Sequence, residues 1–103
     1  MSAFHTVAQL EEVPEGSMIG VEVGGVKVAV IHEQGRFFAL HDCCSHEEFP
    51  LSDGDLENGQ ITCILHGARF DLETGVAKAL PAVRPVKTYE VRVEDGEIQV
   101  SLG

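Results

Sequence analysis

Runs of β-branched and aromatic residues, broken about every ten positions by glycine-centred turns, set the pattern of this chain. Residues 18–23 and 26–31 are two such runs, separated by Gly24-Gly25. Paired glycines between apolar runs signal a tight hairpin, because the favoured two-residue turns need positive φ at their centre. Glu33-Gln34-Gly35 predicts a second turn, leading into residues 36–40. Residues 86–93 and 97–102 flank Glu94-Asp95-Gly96, a third hairpin. There Val91, Val93, Ile98, Val100 and Leu102 occupy every second position, as half-buried strands require. Helical periodicity is weak. Only residues 7–13 predict a turn or so of helix, ended by Pro14-Glu15-Gly16. The pattern predicts an all-β antiparallel sandwich or barrel, with residues 41–71 inserted into it as a small subdomain.

Composition narrows the class. At 103 residues the expectation is one domain over 1–103. The N-terminus has neither a basic start nor an apolar run of signal-peptide length, and no stretch approaches the roughly 20 apolar residues of a membrane span. A soluble, cytoplasmic protein is expected. Three cysteines, an odd count, fit a reducing compartment better than a disulfide scaffold. Seventeen acids against seven bases give a net charge of −10, which makes nucleic acid and anionic membrane poor partners. Between Phe37 and Ala68 stand Asp42, Glu47, Glu48, Asp53, Asp55 and Glu57, with no Lys or Arg. That stretch reads either as a solvated acidic surface or as a face that steers a basic partner. Without a broad apolar stripe, the domain is expected to be a monomer.

The chemistry sits in two short loops. Cys44-Ser45-His46 and Cys63-Ile64-Leu65-His66 each offer one thiolate and one imidazole, in the same order. In an extended loop residues i and i+2 point the same way, so Cys44 and His46 face one centre. A tight turn released at Gly67 swings His66 back toward Cys63. Two sulfur and two nitrogen donors suit a two-iron cluster with sulfur ligands on one iron and nitrogen ligands on the other. Zinc takes the same donors tetrahedrally, but structural zinc sites usually group their thiols in one loop and their histidines in another. Here each loop mixes them. Cys43 reads as a spare thiol beside the ligand position, and His5, His32 and His41 lack partners at ligand spacing.

The C-x-H…C-x2-H arrangement resembles the Rieske [2Fe-2S] signature, in which two histidines replace two cysteines on one iron. Pro50-Leu51-Ser52-Asp53-Gly54 resembles the segment after the first ligand loop, and His66–Leu72 with Thr74-Gly75 resembles the return from the second. Lys78-Ala79-Leu80-Pro81-Ala82 looks like the proline-containing loop over the cluster's third side. The likeness extends over nearly the whole chain and is closest to Rieske-type ferredoxins. It implies one [2Fe-2S] cluster per chain, with Cys44 and Cys63 on the inner iron and His46 and His66 on the outer, exposed iron. It also implies that the added electron goes to the histidine-bound iron. High-potential relatives carry an extra disulfide where Phe49 and Leu65 stand here, and hydroxyls toward the cluster where Ala68 and Phe70 stand. Without those hydroxyls the potential is expected near the low end of the Rieske range, roughly −150 mV.

The implied function is a one-electron carrier, not an enzyme. It would pass electrons from a flavin-dependent reductase to a terminal oxygenase, such as an aromatic-ring dioxygenase. The chain has no glycine fingerprint for a dinucleotide of its own. A nitrite reductase small subunit, or a ferredoxin serving iron–sulfur assembly, are the competing assignments. The first often lacks the ligands that are present here.

Overall fold

The computed structural model describes residues 3–43, 50–64, 67–79 and 84–102. In chain order the described elements are β1 (Phe4–Gln9), a 3₁₀ turn (Leu10–Glu12), β2 (Ser17–Val23), β3 (Val26–Glu33) and β4 (Arg36–His41). A second 3₁₀ turn (Leu51–Asp53) precedes β5 (Asp55–Glu57), β6 (Gln60–Thr62), β7 (Arg69–Asp71) and β8 (Ala77–Ala79). β9 (Thr88–Glu94) and β10 (Glu97–Ser101) end the chain. They form a six-stranded sheet in the order β1-β10-β9-β4-β3-β2 and a four-stranded sheet in the order β5-β6-β7-β8. All described pairings are antiparallel. The outer strands β1 and β2 also approach each other, so the larger sheet curls into a nearly closed barrel. The all-β expectation holds.

The three predicted hairpins form at the expected turns. Gly24 and Gly25 have φ of 55° and 82°, the left-handed pair that a two-residue hairpin loop demands. Gln34-Gly35 and Asp95-Gly96 repeat that backbone with a non-glycine first residue. Asn58-Gly59 makes a fourth, between β5 and β6.

Two local expectations are corrected. Residues 7–13 do not form a helical turn throughout: the chain stays extended to Gln9, and only Leu10–Glu12 is 3₁₀. The reason is long-range, since β1 pairs with β10 from Phe4 opposite Ser101 to Gln9 opposite Glu97. The half-buried alternation over 91–102 holds for Ile98 and Val100, both fully buried, but Val93 is 41% exposed. Val93 lies one step from the hairpin tip, opposite Ile98.

The core comes in two parts, and β3 supplies both. Val28, Ala29, Val30 and Ile31 are all at 0% exposure. Because successive strand side chains point to opposite faces, Val28 and Val30 pack with Val23, Ala39, Ile98 and Val100. Ala29 and Ile31 pack the other way, with Leu40, Leu51, Ile61, Phe70 and Leu72. β4 alternates likewise, sending Ala39 to the first core and Leu40 to the second. The small sheet is thus held to the barrel by the outer face of the β3–β4 hairpin. An unbroken apolar run of this kind marks a strand covered on both faces.

Ile31→Ala removes buried volume at that junction and should cost about 2–5 kcal/mol of unfolding free energy in a urea titration. A loss below about 1 kcal/mol would show that the two layers are not held together there.

Candidate metal centre

The two candidate ligand loops leave the fold where neighbouring elements already meet. The first departs from the end of β4. His41 donates its backbone N–H to the carbonyl of Lys87 at 2.8 Å, and Asp42 donates its own to Lys27 at 2.9 Å. The chain is tied down again at Leu51–Asp53, with Leu51 fully buried and Gly54 N–H bonded to the Leu51 carbonyl at 2.9 Å. The second loop leaves from β6. Cys63 N–H donates to the Ala68 carbonyl at 2.7 Å, closing the turn, and Gly67 takes φ of 74° within it. The bond and the Gly67 backbone fit a tight turn, while the expected swing of His66 lies outside the described residues.

Contacts join the flanks of the two loops. A Cβ on Gly54 would collide with the carbonyl oxygen of Thr62, the residue before Cys63. Leu51, Cys63, Ala68 and Phe70 all belong to one buried cluster. The segment that follows the first loop therefore lies directly on the strand that leads into the second. Gly75, with φ of 76°, bonds Val86 through its carbonyl, and so ties the turn after β7 to the chain entering β9.

Of the four candidate ligands, Cys63 lies among the described residues. Its side chain is 1% exposed in an apolar surround. Cys44, His46 and His66 lie outside the described residues, as do Phe49, Leu65 and the Leu80-Pro81-Ala82 part of the proline-containing loop. Cys43 is half-buried, and its N–H bonds the His41 carbonyl. Ala68 and Phe70 are fully buried and offer no hydroxyl.

The other histidines behave as structural or surface groups. His32 stacks on Phe37 with ring centroids 4.1 Å apart, and its Nδ1 lies 2.9 Å from the Val13 carbonyl. Its Nε2 is 3.4 Å from Glu15, whose carboxylate also accepts the N–H groups of Gln34 and Gly35. His5 is exposed and His41 half-buried.

The acidic stretch divides in two. Asp53, Asp55 and Glu57 are exposed, and Asp55 stands opposite Thr62 beside the second loop. Asp42 does not belong to that surface. It is 7% exposed, and its two carboxylate oxygens accept the Ser52 N–H and the Ser52 hydroxyl, each at 2.7 Å. Ile64, next to Cys63, is 62% exposed.

The residues present fit an iron–sulfur cluster. A thiol buried in apolar surroundings at the start of a closed turn, in one buried cluster with Leu51 from the flank of the other Cys/His loop, is a setting that shields a cluster's sulfur side from water.

Comparison with known proteins gives the class. Residues 3–90 match the Rieske [2Fe-2S] domain, and the chain belongs to that family. It is 37% identical over 95 residues to a ferredoxin component of naphthalene 1,2-dioxygenase/salicylate 5-hydroxylase systems from Ralstonia sp., covering 92% of this chain and 91% of that one. Its fold matches the ferredoxin of carbazole 1,9a-dioxygenase from Nocardioides aromaticivorans IC177 with a TM-score of 0.91 and 37% identity, over 96% and 97% of the two chains. It also matches a complex of reduced oxygenase and oxidized ferredoxin in carbazole 1,9a-dioxygenase, with a TM-score of 0.89 and 31% identity over 95% and 92%. The chain carries a [2Fe-2S] cluster and is an electron-transfer component rather than a catalyst. Among the described residues no helix is long and apolar enough to cross a membrane.

Gly54→Ala forces a methyl against the Thr62 carbonyl and should cost about 1–3 kcal/mol by overpacking, read from urea unfolding. Wild-type stability in that variant would mean that the two loop flanks are free to separate.

Proposed function

We propose that Cys44 and Cys63 hold one iron of a single cluster and His46 and His66 the other. The chain would then relay electrons singly from a flavin-dependent reductase to a terminal oxygenase of the aromatic-ring type. The observation that carries this reading is the position of Cys63, buried at the mouth of its turn and packed with Leu51 from beyond the first loop. When bound, the cluster takes up and returns one electron. The chain's own residues decide how readily and to whom. Neutral imidazoles in place of two thiolates remove two negative charges and make reduction easier than in an all-cysteine site. Ala68 and Phe70 stand, without hydroxyls, at the positions where high-potential relatives carry them, so the added charge would be less stabilised and the potential low within the Rieske class.

Exposed Ile64 beside Cys63, with Asp53, Asp55 and Glu57 exposed on the same subdomain, supports an apolar contact inside an acidic rim. Such a face suits partners with basic docking surfaces. The solved complex of an oxygenase with its ferredoxin in carbazole 1,9a-dioxygenase supports an oxygenase as one of them. The remaining parts of the reading are a single domain with its cluster-binding subdomain near residues 41–71, a monomeric state and a cytoplasmic location. The acidic balance also argues against a role on nucleic acid.

An EPR-monitored redox titration of anaerobically purified protein should give a Rieske-type signal with a midpoint of roughly −150 mV. A midpoint above zero would contradict the account of Ala68 and Phe70, and zinc in place of iron would overturn the ligand reading. In a reductase–oxygenase turnover assay, Ile64→Lys should raise the ferredoxin concentration for half-maximal rate about tenfold, a docking loss of about 1.4 kcal/mol, without moving the midpoint. An unchanged concentration would place docking elsewhere.

A further inference from the structure

Asp42 is the buried charged side chain among the described residues, and packing alone does not account for it. A carboxylate taken out of water is costly unless hydrogen bonds replace the lost solvent. Here both replacements come from one residue: Ser52 N–H donates to Oδ1 and Ser52 Oγ to Oδ2, each at 2.7 Å. The fold makes room for the pair. A Cβ built on Gly20, in β2, would lie 2.7 Å from Asp42 Oδ2 and 2.8 Å from Ser52 Oγ. Asp42 is in turn fixed to β3 through its N–H bond to the Lys27 carbonyl. The clasp therefore rests on the barrel on one side and closes over residue 52 on the other.

What it closes is the stretch from 43 to 51, which contains Cys44 and His46. We propose that Asp42, Ser52 and Gly20 form a clasp that pins both ends of the first ligand loop to the barrel. Asp42 and Ser52 are thereby positioning residues for Cys44 and His46. The inference rests on the ligand assignment proposed above. Bonds that set the loop's ends before a cluster enters reduce the ordering that ligation must impose, which is the general benefit of preorganisation. A hydrogen-bonded pair does this better than an apolar contact, because its geometry is directional and two bonds to a charged acceptor resist sliding. The second loop has its own equivalent in the Cys63–Ala68 backbone bond.

The test compares cluster lifetime with framework stability in the holoprotein. Cluster loss is followed by visible circular dichroism in the presence of an iron chelator, and the framework by far-ultraviolet circular dichroism of the holoprotein in urea. Asp42→Ala removes both bonds and should speed cluster loss about tenfold or more. Ser52→Ala removes one and should give an intermediate rate. Asp42→Asn keeps an acceptor for the Ser52 N–H and a donor for its hydroxyl, and should stay within about threefold of wild type. The Asp42→Ala and Ser52→Ala effects should not add, because both break the same clasp. If Asp42→Ala fails to fold, Ser52→Ala and Gly20→Ala, which wedges a methyl between the two side chains, carry the test alone. Wild-type lifetimes in these variants would overturn the proposal. So would a loss of lifetime that only mirrors the loss of framework stability, or an Asp42→Asn variant as impaired as Asp42→Ala. Absence of a mixed nitrogen–sulfur EPR signal in wild-type protein would instead sink the ligand assignment on which the proposal rests.

Discussion

Burial of the β3–β4 hairpin on both of its faces is the constraint from which the rest of the structure follows. Val28 and Val30 fill the barrel while Ala29 and Ile31, one residue out of phase, hold the small sheet against its outside. A slip of one residue in either strand would exchange the two sets and empty both cores. The register is therefore strongly specified, from Val28 opposite His41 to Glu33 opposite Arg36. That register decides where β4 ends, and so where the chain leaves the barrel toward Cys44. The same outer face receives Leu51, Ile61 and Phe70, which bracket the second loop. The flanks of two segments distant in sequence are thus packed into one buried cluster.

The parts of this architecture that were legible in the sequence are those set by local chemistry. Glycine-centred turns at 24–25, 34–35 and 95–96 are legible because positive φ is a demand on single residues. The Cys/His loops are legible because ligand chemistry is confined to a few residue types at short spacing. The edge position of β1 was not, because its extended conformation depends on β10, at the other end of the chain. Strands of three residues, such as β5, β7 and β8, are too short to show a period. Asp42 was misassigned to an acidic surface for a similar reason. Its burial depends on Gly20 and Ser52, one before it in β2 and one after the ligand loop, and no local pattern announces that meeting.

The structure separates two kinds of work. Apolar packing joins the loop flanks, while a few directional bonds, Asp42 to Ser52 and Cys63 to Ala68, fix the described ends of the two Cys/His loops. The function proposed above draws on the described residues around those ends: Ala68 and Phe70, buried and without hydroxyls, and Ile64, exposed with acidic residues on the same subdomain.

Pulsed EPR on reduced protein labelled with nitrogen-15 at histidine tests the central claim most directly. The account predicts two strongly coupled histidine nitrogens, with one lost in each of His46→Cys and His66→Cys, the sulfur replacement being chosen to keep the site ligated. No strongly coupled histidine nitrogen, or coupling that survives both substitutions, would contradict it.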